Sequence, residues 1–193
     1  EDPLVRANLA INLAFAKLRL GHDLREDLNT ADQALTVIDV AGTGRAGLLV
    51  AWSRILRGRA ALLRGELDLA SAGCRLPNRA NSWPHLATES LSCTAQVERQ
   101  RGNVRAARAT LARALSVHTA LSGDAIAQPI TLGPSRRAED FYLAAELALE
   151  DCDAEAAWET LEDLDGVVAI EGYRASCSSA SNDQANRQRV TAE

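Results

Sequence analysis

The chain has 193 residues, of which 47% are hydrophobic and 24% charged, and its formal net charge is −5. Enough apolar residues are present for a continuous core, so the composition excludes a wholly disordered chain. The acidic balance argues against nonspecific nucleic-acid binding, and no apolar run reaches the roughly 18 residues that a membrane-spanning helix needs.

The dominant residues Ala, Leu, Arg and Glu are strong helix formers, so an all-α fold is expected. Apolar periodicity then predicts the individual helices. Asp2 and Pro3 are typical of a helix start, because Asp caps free N–H groups and Pro tolerates the first turn. In chain order, the predicted helices span about residues 3–20, 29–40, 48–64, 66–76, 86–101, 104–121, 138–150 and 154–168.

Two kinds of connection alternate between these helices. The predicted tight turns lie at Gly21, Gly65, Gly102 and Cys152, and the looser loops cover residues 41–47, 77–84 and 122–137. The last loop is the longest, and it is interpreted as either a lid or a mobile linker. Residues 176–193 form a polar tail or the start of a truncated helix, so the repeat domain is expected to cover residues 1–175.

A repeated spacing of small residues is the strongest pattern in the chain. A small residue precedes each predicted turn by seven positions, and an alanine follows the turn by five. The matching triplets are Gly58, Gly65 and Ala70, then Ala95, Gly102 and Ala107, then Ala145, Cys152 and Ala157. In the first hairpin Ala14 and Gly21 match, but Ala31 arrives about five residues late. Such spacing allows two helix backbones to approach closely.

This arrangement resembles the tetratricopeptide repeat family, which implies an α-α superhelix of about four helical hairpins. The last hairpin, Phe141–Glu150 followed by Asp153–Glu162, is also weakly similar to the repeat region of bacterial CHAT proteins, which are caspase-like peptidases. The second resemblance implies a regulatory arm whose peptidase lies outside this sequence. The chain contains no methionine and ends abruptly at Glu193, so it is expected to be a fragment of a larger bacterial protein, located in the cytoplasm.

In tetratricopeptide arrays the first helix of each hairpin lines a concave groove that binds peptides. The resemblance therefore implies a groove in this chain, although the Lys and Asn residues of a chaperone-tail clamp do not occur in that arrangement. The implied groove residues are Ile11, Phe15, Ile55, Arg59, Glu89, Gln96, Arg99, Tyr142 and Glu146.

Residues 42–47 read Gly-Thr-Gly-Arg-Ala-Gly, a pattern that binds dinucleotides when it connects a strand to a helix. No further β-α units follow, so an inter-hairpin loop is the favoured interpretation and nucleotide binding is a distant alternative. The histidines are isolated, and the four cysteines are interpreted as reduced, half-buried side chains. No metal, cofactor or catalytic residue is expected.

The charges are distributed unevenly. Residues 41–65 contain five arginines and no acid, whereas residues 138–173 contain twelve acids and no base. These patches are interpreted either as solvated outer faces or as surfaces that orient a partner or another domain.

The predicted function is non-catalytic recognition of a protein or peptide, or of another domain of the parent chain. The alternative is a sensor arm for an absent CHAT-type peptidase or transcription regulator. The sequence leaves the oligomeric state open.

Overall fold

The computed structural model describes residues 2–37, 44–76, 83–123 and 134–164, and every regular element in these ranges is a helix. The predicted all-α class is therefore confirmed for this part of the chain. The helices are α1 (Pro3–Arg19), α2 (Arg25–Thr36), α3 (Arg45–Leu63), α4 (Leu67–Cys74), α5 (Pro84–Gln100), α6 (Val104–Gly123), α7 (Pro134–Glu150) and α8 (residues 154–164).

The chain divides into two compact units, Glu1–His118 and Thr119–Glu193, which are described separately. The predicted tail at 176–193 and the central part of the predicted loop at 122–137 lie outside the described residues. In the part that is described, no helix combines the length and the apolar character that crossing a bilayer requires.

Three helices start at least three residues earlier than the sequence analysis predicts, and α5 starts two residues earlier, at Pro84. The predicted start of α2 at residue 29 is wrong, because Asp23 Oδ1 accepts the N–H of Arg25 at 3.0 Å and the helix begins there. The predicted start of α7 at 138 is wrong because Pro134 occupies the first turn, where its missing N–H is no loss. The third, α3, begins at Arg45. At α1 the predicted start is confirmed, since Asp2 Oδ1 accepts the Leu4 N–H at 2.9 Å.

The four tight turns share one backbone geometry. Each turn residue has a positive φ, and the N–H of the next residue donates to the carbonyl oxygen five positions earlier, as in a Schellman motif. The φ angles are 70° at Gly21, 73° at Gly65, 78° at Gly102 and 58° at Cys152. The donors and acceptors are His22 and Lys17, Glu66 and Ala61, Asn103 and Glu98, and Asp153 and Ala148, at 2.8–3.0 Å. The predicted turn residues are thus confirmed.

The small residue before each turn and the matching alanine after it are buried, as close helix packing requires, whereas the turn residues are exposed. Helices α3 and α4 are in backbone contact at Gly58 and Gly73. A Cβ atom built on Gly58 would lie 2.7 Å from the backbone nitrogen of Cys74, and one on Gly73 would lie 2.6 Å from Gly58 Cα. Real Cβ atoms do not come this close to backbone, so these two positions require glycine.

Helix α4 has only eight residues and contacts both α3 and α5. Its core is a cluster of small and aliphatic side chains: Ala61, Leu62, Ala70, Cys74, Cys93 and Val97. The terminal carbonyl groups of α4 are also bound by its neighbours. Arg54 of α3 donates to Ala72 O, and Ser90 of α5 donates to Cys74 O. These bonds satisfy acceptors that a helix end leaves without intrahelical partners.

Cys74 and Cys93 form a disulfide between α4 and α5, with their Cα atoms 5.6 Å apart. Their interpretation as reduced, half-buried residues is wrong, because both are bridged and fully buried. Cys152 is a free thiol but is exposed, and Cys177 lies outside the described residues. Disulfides are typical of oxidising compartments, so the bridge does not support the cytoplasmic location, which stays a prediction.

In the second unit, α7 and α8 pack through Ala145, Ala148 and Ala157, with Ala156 and Leu161 against the same cluster. Asp153 Oδ1 accepts the Ala156 N–H at 3.1 Å and so caps the start of α8. Residues 138–164 carry ten acids and no base. This hairpin therefore repeats the small-residue packing of the first unit beneath an acidic surface.

Candidate binding site: an arginine-lined cleft

In the first hairpin, Ala31 follows the turn about five residues later than the repeat spacing requires. The structure shows where these five additional residues lie. Three residues connect the helices of each other hairpin, whereas residues 20–24 connect α1 to α2. Ala31 is the seventh residue of α2, while Ala70 is the fourth residue of α4. The insertion thus consists of two extra connecting residues and three extra residues of helix, which is nearly one turn.

The insertion is fixed to α1 by the only lysine of the chain. Lys17 Nζ lies 2.7 Å from Oδ2 of Asp27, a residue that is buried in the extra turn. Pairing with the Asp27 carboxylate raises the pKa of Lys17 above its ordinary value, so the ammonium group is charged at neutral pH. The pair therefore positions the start of α2 against the rest of the first unit.

A cleft of about 440 Å³ lies where the insertion meets α3 and α4. Its apolar lining includes Leu24, Leu28 and Ala61, which are buried, and Leu69, which is exposed at 63%. Its charged lining residues are Asp23, Arg25, Arg54, Arg57 and Arg64. The volume falls within the roughly 300–1,000 Å³ that small-ligand sites occupy.

Helical spacing divides the arginine-rich segment of α3 into two faces. Arg54, Arg57 and Arg64 recur at spacings that place them on one face of the helix, and all three line the cleft. Arg59 lies on another face, where its Nη2 is 2.7 Å from Glu89 Oε2 of α5 and both side chains are nearly buried. The run of arginines thus serves a cleft on one side of α3 and a buried ion pair on the other.

Two of the cleft arginines have carboxylate partners that do not line the cleft. Arg57 pairs with Asp32 of α2, and Arg64 forms a two-bond pair with Glu66 at 2.9 and 2.8 Å. The hydrogen bond from Arg64 lowers the pKa of Glu66, and the same bond raises the pKa of Arg64. Their positive charge is therefore largely compensated by these partners.

The other two, Arg25 and Arg54, have no carboxylate partner among the described residues. Nε and Nη2 of Arg54 donate to Ala72 O at 3.2 and 3.0 Å, which leaves the donors of Nη1 uncommitted. Arg25 is the first residue of α2, where a cation opposes the helix dipole. These two guanidinium groups are the best placed to receive an anion.

Several residues of the predicted groove are part of the core. Ile11 and Ile55 are 5% and 0% exposed, so they pack inside the first unit and do not present a surface. Phe15 is half-buried, and its ring lies edge-on to Trp52 with centroids 6.3 Å apart. Since Phe15 is on α1 and Trp52 on α3, this contact joins consecutive hairpins.

The remaining predicted groove residues are distributed over both units. Gln96 and Arg99 are half-buried on α5, and Arg59 and Glu89 form the buried pair. Tyr142 and Glu146 are exposed on α7 in the second unit. A groove that uses all of these residues stays a prediction.

The glycine pattern at residues 42–47 does not have the context that nucleotide binding needs. Gly44 is the N-cap of α3, Arg45 to Gly47 already belong to that helix, and the last described element before the pattern is helix α2. Residues 42 and 43 lie outside the described ranges.

Comparison with known proteins gave no match to any protein-family model, curated protein or solved structure. The assignment of the cleft as a candidate binding site therefore depends on its geometry and charges alone. One sequence signal could have located the cleft: the late arrival of Ala31, which marks the insertion that builds one wall.

Proposed function

We propose that this chain is a non-catalytic helical-repeat module that recognises a segment of another protein or of its parent chain. The observation that supports this proposal is the cleft between the insertion and helices α3 and α4. The proposal moves the binding surface from the concave groove expected by family resemblance to this cleft. The tetratricopeptide-like superhelix remains part of the proposal, supported by the shared turn geometry of the four hairpins.

The position of Arg25 is unfavourable for the stability of the folded chain. Its cation opposes the dipole of α2, and its guanidinium group forms no ion pair among the described residues. The carboxylate of Glu66, whose pKa the charge of Arg25 helps to lower, compensates it only at longer range. Local rules of stability are most often broken at functional sites. A bound anion would give this charge a partner.

Selection from a phage-displayed library of random peptides tests the proposal. The chain, its Arg25→Glu variant and its Arg105→Glu variant are immobilised in parallel. Arg105 is a matched control, because it is exposed in the first turn of α6 and does not line the cleft. Both substitutions place an acid near a helix N-terminus, where it is favourable, so neither variant should unfold.

The expected result is a set of peptides that bind the parent chain and Arg105→Glu but not Arg25→Glu. Peptides that bind all three proteins equally would locate recognition outside the cleft. Failure to enrich any peptide would overturn the binding-module proposal.

A further inference from the structure

We propose that the cleft takes an acidic peptide segment in which an aliphatic side chain lies next to carboxylates. This inference rests on the proposed function and specifies its ligand. It draws on three features of the cleft: its apolar lining, the two arginines that form no ion pair among the described residues, and the absence of aromatic side chains from its described lining.

The apolar lining of the cleft favours an aliphatic group. Leu69 is 63% exposed and presents accessible apolar area, whereas Leu24, Leu28 and Ala61 also line the cleft but are only 4%, 2% and 3% exposed. Covering Leu69 with an aliphatic side chain of a ligand would remove apolar area from water on both partners. A volume of about 440 Å³ accommodates a short piece of a peptide, so one aliphatic residue and its neighbours fit this space.

The charges favour carboxylates on both sides of that aliphatic residue. Arg25 and Arg54 come from different walls, α2 and α3, and neither has a carboxylate partner in the described part of the chain. A guanidinium group matches the planar geometry of a carboxylate. If one carboxylate binds Arg25 and another binds Arg54, the aliphatic side chain between them can contact the apolar lining of the cleft.

The same charges disfavour a phosphate or a nucleotide. Asp23 is itself in the lining, Asp32 and Glu66 pair with two of the arginines, and the remaining two, Arg25 and Arg54, lie on different walls, so this arrangement suits two separate carboxylates better than the two charges of a single phosphate. A base is usually held by stacking on an aromatic ring. The lining is made of aliphatic, small and charged side chains.

Fluorescence anisotropy with a defined peptide tests this inference. The probe is Gly-Glu-Leu-Asp-Gly, labelled at its N-terminus and amidated at its C-terminus, so that only side-chain carboxylates are present. A second peptide replaces the acids with Gln and Asn, and a third replaces Leu with Ser. Each change should weaken binding about tenfold or more, because each removes charge-assisted hydrogen bonds or apolar burial.

Arg25→Glu should reduce the affinity for the first peptide by about tenfold or more, and Arg105→Glu should leave it within about twofold. Inorganic phosphate and ATP are added as competitors at equal ionic strength. Displacement by either one at concentrations where acetate has no effect would overturn the inference in favour of a phosphate site.

Failure of the ligand class is distinguishable from failure of the proposed function. If the defined peptide does not bind but phage-selected peptides of other composition still require Arg25, the ligand class is wrong and the binding module stands. If neither kind of peptide binds, both proposals are overturned.

Discussion

The α3–α4 hairpin of the first unit and the α7–α8 hairpin of the second share a backbone design but differ in its chemistry. Both have a Schellman turn, with Gly65 in one and Cys152 in the other. Both place a small buried residue seven positions before the turn. However, residues 45–64, which comprise α3 and the start of its turn, carry five arginines and no acid, whereas residues 138–164 carry ten acids and no base.

This comparison shows that small buried residues and turn geometry specify the backbone of the hairpin, while the charge of its surface residues can vary. In the α3–α4 hairpin, the arginines lie on two faces of α3 with different roles. One face of α3 lines the cleft, and another face forms the Arg59–Glu89 pair with α5. The predictions below test, in decreasing order of expected effect, which of these differences matters for stability.

The largest effect is expected from Glu89→Ala, which would leave Arg59 buried without its carboxylate. Removing one partner of a buried ion pair costs about 3–5 kcal/mol. Urea unfolding followed by circular dichroism at the helix band measures the change. Nε of Arg59 is already buried without a hydrogen-bond partner, so the pair is not ideal. The double variant Arg59→Met/Glu89→Leu should therefore recover most of the loss, and equal losses in both proteins would contradict this account.

The second prediction compares opposite substitutions, glycine to alanine and alanine to glycine, at matching positions of the two hairpins. Gly58→Ala should destabilise the chain by about 2 kcal/mol, because its Cβ would overlap the backbone of α4 and the helices must separate. Ala145 occupies the matching position of α7, and there Ala145→Gly should destabilise by about 1 kcal/mol through lost helix propensity. Thermal unfolding of both variants gives the comparison, and stabilisation by Gly58→Ala would show that α3 and α4 are not in backbone contact.

The third prediction concerns the turn residues, and it is a gain of stability. A residue other than glycine with a left-handed backbone costs about 1–2 kcal/mol. Cys152 has a φ of 58°, so Cys152→Gly should stabilise the second unit by about 1 kcal/mol. Cys152→Ala is the matched control, because it removes the thiol and keeps the strained φ. Equal melting temperatures for the Gly and Ala variants would argue against strain at this turn.

Local sequence patterns predicted the hairpins because the determinants are local. A turn residue with positive φ and a buried small residue can each be identified from neighbouring residues, and Gly21, Gly65 and Gly102 were predicted in this way. The start of α2 was missed because the apolar periodicity begins only after Asp27, although Asp23 and the acids that follow it are helix-start signals. The sequence pattern places Pro134 in a loop for a similar reason, since proline is typical both of loops and of the first turn of a helix.

The cleft could be predicted only in part. The late position of Ala31 revealed an insertion, but not that its residues face Arg54 and Arg64 across a cavity. That juxtaposition depends on how one hairpin packs on the next, which a single sequence does not contain. The Cys74–Cys93 disulfide was missed for the same reason, because 19 positions of sequence separate two residues that packing brings together.

The smallest effect is expected at the exposed pair beside the cleft, Arg64 and Glu66. The hydrogen bond from Arg64 lowers the pKa of Glu66 in the folded chain, so this pair contributes stability above the unfolded pKa of Glu66 and loses it as the pH falls through the folded pKa. Arg64→Gln should return the pKa of Glu66 towards its ordinary value, which carboxyl-carbon NMR titration measures directly. Arg105→Gln, which removes an equal charge outside the cleft, should leave this pKa unchanged. A pKa of Glu66 that does not rise in Arg64→Gln would mean that the two side chains are not paired in solution, and Arg64 would then be a third guanidinium group available to a ligand.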